Sequence, residues 1–344
     1  MNYSDLKSRL SEISFENPRE HLGFTIGTIT SYEKDTDYYL TPIRESHRTR
    51  YSGVIVRNVE TAVEIARYLD GKVNYIFVDT EKKVAKENYG QNDVGNIEKA
   101  ITEVVKQSKI LSYKGNDLTV RAADSLLRVL TPNLTGAKIA IIGVGNIGMK
   151  LGLSLLERGN SIYLYSNHTA HAQSVSSLLN QVKLRTTLAQ SFCALNLSEA
   201  IDGAQVLVAT TDKKSIIGAE DIEKMINLGA NQPPILVDIG KGCYEESVFA
   251  AGYIVYRVDV GEELSAEIDL LILQDEVLFR VTKTRAINGR IFVRKGITGK
   301  LGDFVVDSIE YPTQLLGECD GLGNLNSVPN HLAKELLALL RDNK

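Results

Sequence analysis

The chain has 344 residues, a formal net charge of −4 and 43% hydrophobic residues, with charged residues at 24% and aromatics at 7%. That length accommodates two domains, each with its own core, and the balance excludes a long disordered chain and a strongly basic nucleic-acid or anionic-membrane binder. The scattered Cys193, Cys243 and Cys319 form no CxxC pair or disulfide framework, the N-terminus lacks an apolar signal core, and no apolar run approaches a membrane span, so a reducing, cytoplasmic setting is expected.

Leu6, Leu10 and Ile13 share one face of a predicted helix over 4–15, which Ser4 can cap. GFTIGTIT (23–30) alternates like a strand, and GVIV (53–56) reads as a short buried one. Asn58 is placed to cap a helix carrying Val59, Ala62, Val63, Ala66 and Leu69. A strand over 73–78, a helix over 81–89 behind Thr80, a helix marked by Ile97, Ile101 and Val104, and a strand over 110–113 follow. Strands alternating with helices imply parallel βαβ units, so residues 1–118 are expected to form an open α/β domain.

Val120, Ala123, Leu127 and Leu130 mark one face of a helix over 119–130. Thr131-Pro132 ends it, because proline disfavours helix in the residue before it. Residues 119–135 therefore read as a bridging helix and linker. Strands are predicted over 138–142, 161–165, 205–209, 235–239 and 253–258, with helices between most of them, giving a Rossmann-type parallel sheet over 136–269. Beyond Asp269 the pattern changes: strands over 277–281 and 290–293 flank the hairpin dipeptide Asn288-Gly289. Leu332, Leu336, Leu339 and Leu340 mark a closing helix from about Asn330, so residues 270–344 are expected to form a β element and a helix. The expected fold class is α/β, with an N-terminal open α/β domain, a Rossmann-type parallel sheet and a small hairpin-containing C-terminal extension.

The clearest chemical motif is KIAIIGVGNIGMKLGLSLLERG, an apolar strand, a GxGxxG turn and a helix. Gly143 permits the tight turn, Gly145 leaves the backbone open to a diphosphate, and Gly148 lets the helix pack on the strand. Val144, Asn146 and Ile147 complete the turn, and the helix N-terminus offers unpaired amides and partial positive charge to phosphates. The same pattern can also close a tight turn that holds no ligand. The next strand ends in Ser166, Asn167, His168 and Thr169. It lacks the carboxylate that would hold the ribose 2′-OH of NAD, which favours NADP over NAD; His168 reads equally as an exposed loop histidine. Thr210, Thr211, Asp238 and Gly240 close two further parallel strands, where a nicotinamide pocket is expected.

On these residues, a segment over roughly 134–264 resembles the nucleotide-binding domain shared by glutamyl-tRNA reductases and shikimate dehydrogenases. The stretches that carry the resemblance are LTGAKIAIIGVGNIG, YSNHTAHA in place of an Asn-Arg-Thr turn, LVATTDKKSIIGAEDIEKM, PPILVDIGKGCYEES and YIVYRVDVGEEL. In outline the N-terminal part is similar to the amino-acid dehydrogenase-like catalytic domains of methylenetetrahydrofolate dehydrogenases, shikimate dehydrogenases and malic enzymes. That resemblance implies a lysine near a helix start working with an aspartate before the bridging helix. It carries those roles onto Lys82 or Lys83, in VNYIFVDTEKKVAKEN, and Asp117, in YKGNDLTVRAADSLL, with Asn116 near the substrate. The Pro-Phe-Lys and Asn-Thr-Asp segments of shikimate dehydrogenases are both replaced here, so a different substrate is expected. No cysteine precedes residue 193, which argues against the acyl-enzyme chemistry of glutamyl-tRNA reductases.

A carbonyl–alcohol hydride transfer needs a proton donor beside the reacting oxygen, and a lysine with a depressed pKa held by an aspartate suits that task. The lysines in EKK read equally as a solvated helix face. Arg121, one turn into the bridging helix, and the run Arg44, His47, Arg48 and Arg50 are candidates for a substrate carboxylate, with exposed basic surface as the competing reading. No HExxH, His/Cys cluster, P-loop or GxSxG occurs, so no metal site is predicted. The expectation is an NAD(P)-dependent oxidoreductase acting on a small polar, carboxylate-bearing metabolite in an interdomain cleft, without nucleic-acid or membrane partners and compatible with a homodimer. The alternatives are a lyase of the ornithine cyclodeaminase kind that recycles a bound hydride store, faintly resembled by LTVRAA (118–123), and a non-catalytic dinucleotide-binding protein.

Overall fold

Apolar spacing decides the first elements. In this computed structural model, which describes residues 4–28, 38–81, 97–131, 133–227, 233–279 and 283–342, Leu6, Leu10 and Ile13 lie buried on one face of helix α1 (Ser4–Ser14). Strands β1 (His21–Thr28), β2 (Tyr38–Leu40), β3 (Arg44–Glu45) and β4 (Thr49–Val56) follow. Helix α2 (Val59–Leu69) begins where Asn58 accepts a hydrogen bond from the Thr61 amide at 2.7 Å, the cap anticipated from sequence. Then come β5 (Tyr75–Asp79), α3 (Ile97–Val104), β6 (Lys109–Tyr113) and α4 (Gly115–Leu130). The sheet order is β2-β4-β1-β5-β6; β1 pairs parallel with β4 and β5, and β5 parallel with β6. Its edge departs from the all-parallel expectation, because β2 and β3 run antiparallel to β4. Strands of two or three residues are too short to leave a periodic signal.

Helix α4 starts four residues earlier than its apolar spacing indicated, so Asn116 and Asp117 lie in its first turn rather than in a loop. Its cap comes from the end of β5. Asp79 Oδ1 accepts from the Gly115 amide at 3.2 Å and Glu81 Oε2 from the Asn116 amide at 3.0 Å, while Lys114, at the capping position, makes no side-chain bond. Two carboxylates at a helix N-terminus meet both its unpaired amides and its dipole. The helix predicted over 81–89 lies outside the described residues from 82 onward.

The second sheet is parallel throughout, in the order β12-β11-β10-β7-β8-β9. Its elements are β7 (Lys138–Ile142), α5 (Asn146–Glu157), β8 (Ser161–Tyr165), α6 (Thr169–Val182), β9 (Ser191–Cys193), α7 (Leu197–Ile201), β10 (Val206–Ala209), α8 (Ala219–Asn227), β11 (Ile235–Asp238), α9 (Glu246–Ala250) and β12 (Val255–Arg257). Ile139 and Ile141 face α5 and α6 through Leu151, Leu155 and Leu179, while Ala140, Leu207 and Leu236 face the opposite side with Ile222 and Val248. Burial on both faces is what a parallel sheet requires. Edge strand β9 was not anticipated.

Helix α10 (Gly261–Phe279) corrects the expected strand over 277–281, since Val277 is helical. The run Leu270-Leu271-Ile272-Leu273 hides the helical period. The hairpin around Asn288-Gly289 instead joins β13 (Thr284–Ile287) to β14 (Arg290–Arg294), with φ of 50° and 76° at the two turn residues. Strands β15 (Phe304–Val306), β16 (Leu315–Cys319) and β17 (Leu325–Asn326) extend that sheet, and α11 (Asn330–Asp342) packs Leu336 and Leu340 on Phe292, Val306 and Ile309. The chain divides into two compact units, residues 1–269 with the first two sheets and residues 270–344 with the third.

Candidate functional site

Strand β7 delivers the chain to the glycine turn, where each glycine meets a different constraint. Gly143 has φ +100°, and a Cβ there would lie 2.7 Å from the Thr211 amide nitrogen. A Cβ on Gly148 would sit 2.3 Å from the Gly143 carbonyl oxygen, so α5 can approach the strand only with glycine at that position. A Cβ on Gly145 would meet nothing within 4 Å. Gly145 therefore meets no crowding within the fold, and its open face is a cradle that a side chain would fill. The Thr210 hydroxyl donates to the Gly143 carbonyl, clamping the end of β10 to the turn. On the other side, His171 Nε2 lies 2.9 Å from the Val144 carbonyl oxygen, which can only accept, so that nitrogen carries the proton.

A cavity of about 680 Å³ opens over this turn. Gly143, Val144 and Gly145 form one wall, Asn167 and His168 the β8 end, and Thr210 and Thr211 the β10 end. Both Asn167 and His168 are exposed, and His168 stands at the start of α6 without a side-chain cap bond. Asn146, Ile147 and Gly148 form the first turn of α5 and do not line the cavity; neither does Thr169, which opens α6. Asp238 and Gly240 do not line it either. The Asp238 carboxylate turns into its own loop and accepts from the Lys241 amide at 2.9 Å and the Gly242 amide at 2.6 Å. Gly240 passes under the Thr211 carbonyl, where a Cβ would come within 1.7 Å. Buried beside them, the Cys243 thiol is pushed up to about 12, by burial first and by the Asp238 carboxylate second. Asp238 and Gly240 thus shape the β10–β11 end of the sheet from within. Ser166, His171, Asp212 and Lys213 line the cavity without having been singled out as site residues. Ser166, Asp212 and Lys213 carried only the signal of lying within four residues of a parallel strand's end, and His171, three residues into α6, carried none.

A second cavity, of about 420 Å³, lies at the carboxyl end of the first sheet. Asp117 and Arg121 of α4 line it, with Lys114, Tyr113 and Glu267 of α10. The two charged α4 residues that line it are paired: the Lys150 ammonium donates to Asp117, and Arg121 reaches Glu267 at 2.6 Å. Lys150 comes from α5, two residues past Gly148, and the Asn116 side-chain Nδ2 donates to Asn146 Oδ1 at 3.3 Å. The glycine-turn helix and the bridging helix are therefore in direct polar contact beside both cavities. Lys82 and Lys83 lie outside the described residues. Burial pushes the Tyr113 phenol well above its ordinary value, and the nearby Asp79 carboxylate adds to that. The basic run forms no open clamp: Arg44 pairs with Asp259 at 3.4 Å, Arg48 with Glu20 at 2.8 Å and Arg50 with Glu45 at 3.7 Å, and the His47 amide donates to Asp269.

Residues 125–259 match the family model described as Shikimate / quinate 5-dehydrogenase. That match supports an NAD(P)-binding Rossmann fold for this stretch. The match begins inside α4 and ends beyond β12, so it takes in the glycine turn and its cavity and leaves the first sheet outside. A comparison with curated proteins finds no match. Similar solved structures include an ornithine carbamoyltransferase from Coccidioides immitis, with 11% identity over 75% of this chain and 83% of that one and a TM-score of 0.42. A hetero-hexameric glutamate dehydrogenase from Thermus thermophilus has 12% identity over 76% and 70% and a TM-score of 0.41. The glutamyl-tRNA reductase from Methanopyrus kandleri has 15% identity over 46% and 39% and a TM-score of 0.35. Among the described residues, no helix is long and apolar enough to cross a membrane.

Proposed function

We propose that the chain is an NAD(P)-dependent oxidoreductase acting on a small polar, carboxylate-bearing metabolite. The observation that carries this is the open face of Gly145 at the mouth of a 680 Å³ cavity, inside the stretch matching the dehydrogenase family model. The residues present suit a dinucleotide: α5 presents the free amides of its first turn and carries no acidic side chain there. NADP is favoured over NAD, because the β8 end offers Ser166, Asn167 and His168 to the cavity and no carboxylate. When bound, the nicotinamide supplies or accepts a hydride. The rest falls to the protein. The cavity beside α4 holds the substrate, Arg121 and Asn116 orient it, and Asp117 organises the lysine ammonium that moves a proton to or from the reacting oxygen, a role that the resemblance implies for Lys82 or Lys83.

The test is absorbance at the reduced-nicotinamide band with a panel of small hydroxy, oxo and amino acids. Net change with one of them is expected. Tightly retained reduced cofactor with no net change for any substrate that is nonetheless consumed would replace this reading by the lyase one.

A further inference from the structure

The glycine turn offers a diphosphate backbone amides and a helix dipole but no full positive charge. Gly143, Val144, Gly145, Asn146, Ile147 and Gly148 contain no cation, and Lys150, the first lysine of α5, is held by Asp117. Among the described residues lining the 680 Å³ cavity, Lys213 is the single lysine or arginine. The other ionisable side chains there are His168, His171, Tyr165 and Asp212.

The position of Lys213 follows from the end of β10. The Thr210 hydroxyl binds the Gly143 carbonyl, and Thr211 stands so close to Gly143 that position 143 has room for glycine alone. Two residues on, the Lys213 amide donates to the Thr211 hydroxyl at 3.2 Å, which fixes the course of the loop. The Lys213 side chain is exposed and has no ion-pair partner among the described residues. The geometry points to Lys213 as the cationic positioning residue for the cofactor diphosphate, reaching it from the β10 side while the glycine turn holds it from the β7 side; this rests on the dinucleotide reading above. A diphosphate carries two negative charges, and a flexible lysine stem suits a point charge on phosphate.

Titration calorimetry with ADP-ribose, NAD, NADP and adenosine 2′-monophosphate tests it on the intact chain. Lys213→Ala is expected to weaken ADP-ribose, NAD and NADP alike by about tenfold, equivalent to ~1.4 kcal/mol, and to leave adenosine 2′-monophosphate unchanged. Lys213→Arg is expected to restore most of the loss. Equal ADP-ribose affinity in Lys213→Ala and the parent overturns the assignment. So does a loss confined to NADP and adenosine 2′-monophosphate, which would place the ammonium on the 2′-phosphate. A parent chain that binds none of the four ligands removes the dinucleotide reading itself, and the assignment with it. Because Lys213 is exposed on a loop, an unchanged unfolding curve confirms that each variant is folded.

Discussion

The glycine turn and the cavity beside α4 adjoin each other, yet they are built in opposite ways. The turn is mostly local: six consecutive residues that leave β7 and open α5, with Gly148 pressed first by the Gly143 carbonyl and Gly143 met from afar by Thr211, just past the end of β10. The α4 cavity is assembled from distance. Its helix is capped by Asp79 at the end of β5 and Glu81 just beyond it, its aspartate is held by Lys150 from the next helix, and its arginine is held by Glu267 from α10. A local device survives as a readable motif, whereas a distributed one can exchange partners as long as charges and caps remain matched.

The largest expected effect falls on the distributed side. With a substrate found in the absorbance panel, Asp117→Asn should lower kcat by ~10²–10⁴-fold while leaving ADP-ribose affinity intact. A variant with full turnover would remove Asp117 from the chemistry. Next, Gly240→Ala forces a Cβ to within 1.7 Å of the Thr211 carbonyl and Gly148→Ala one to within 2.3 Å of the Gly143 carbonyl. Each should destabilise the chain by about 3 kcal/mol, the upper part of the range for overpacking, read from urea midpoints. The contrasting change is Gly145→Ala. With nothing within 4 Å of its Cβ, stability should move by no more than ~0.5 kcal/mol, while ADP-ribose affinity falls by about tenfold. Destabilisation matching that of Gly148→Ala would mean that Gly145 serves the fold.

The smallest effect belongs to the C-terminal unit and sharpens what local polar turns contribute. Burial lifts the Asp307 carboxyl, but the Thr313 hydroxyl and the amides of Gln314, Thr313 and Ser308 outweigh it and bring it from 3.8 to about 2. A carboxyl depressed on folding adds stability above its unfolded value and loses it as pH falls through the folded one. Acid titration should therefore show the contribution disappearing between about 4 and about 2, and Asp307→Asn should flatten that limb. An unchanged slope in the variant would assign the acid sensitivity elsewhere.

Much of the fold was legible for the same reason the turn was. Leu6, Leu10 and Ile13, or Val120, Ala123 and Leu127, share a helical face because burial repeats along the chain. What escaped was short or apolar all round: β2, β3 and β9 lack the length for a period, and α10 lacks a polar face through Leu270–Leu273. The start of α4 escaped because its capping carboxylates arrive from β5. Asp238 and Gly240 carry local roles that their sequence position did not reveal. Their place at a strand end suggested a ligand contact, whereas the structure turns the carboxylate toward backbone amides and uses the glycine to pass a carbonyl.

By itself the amino-acid order determined a parallel βαβ unit with a phosphate-type turn, because strand period, helix period and glycine tolerance are properties of neighbouring residues. Only the tertiary structure decided which charges remain unpaired. Lys150 goes to Asp117, Arg121 to Glu267 and Arg44 to Asp259, while Lys213 is left facing the cavity. Ion pairing depends on distances of a few ångströms between residues far apart in the chain, and folding alone sets those distances.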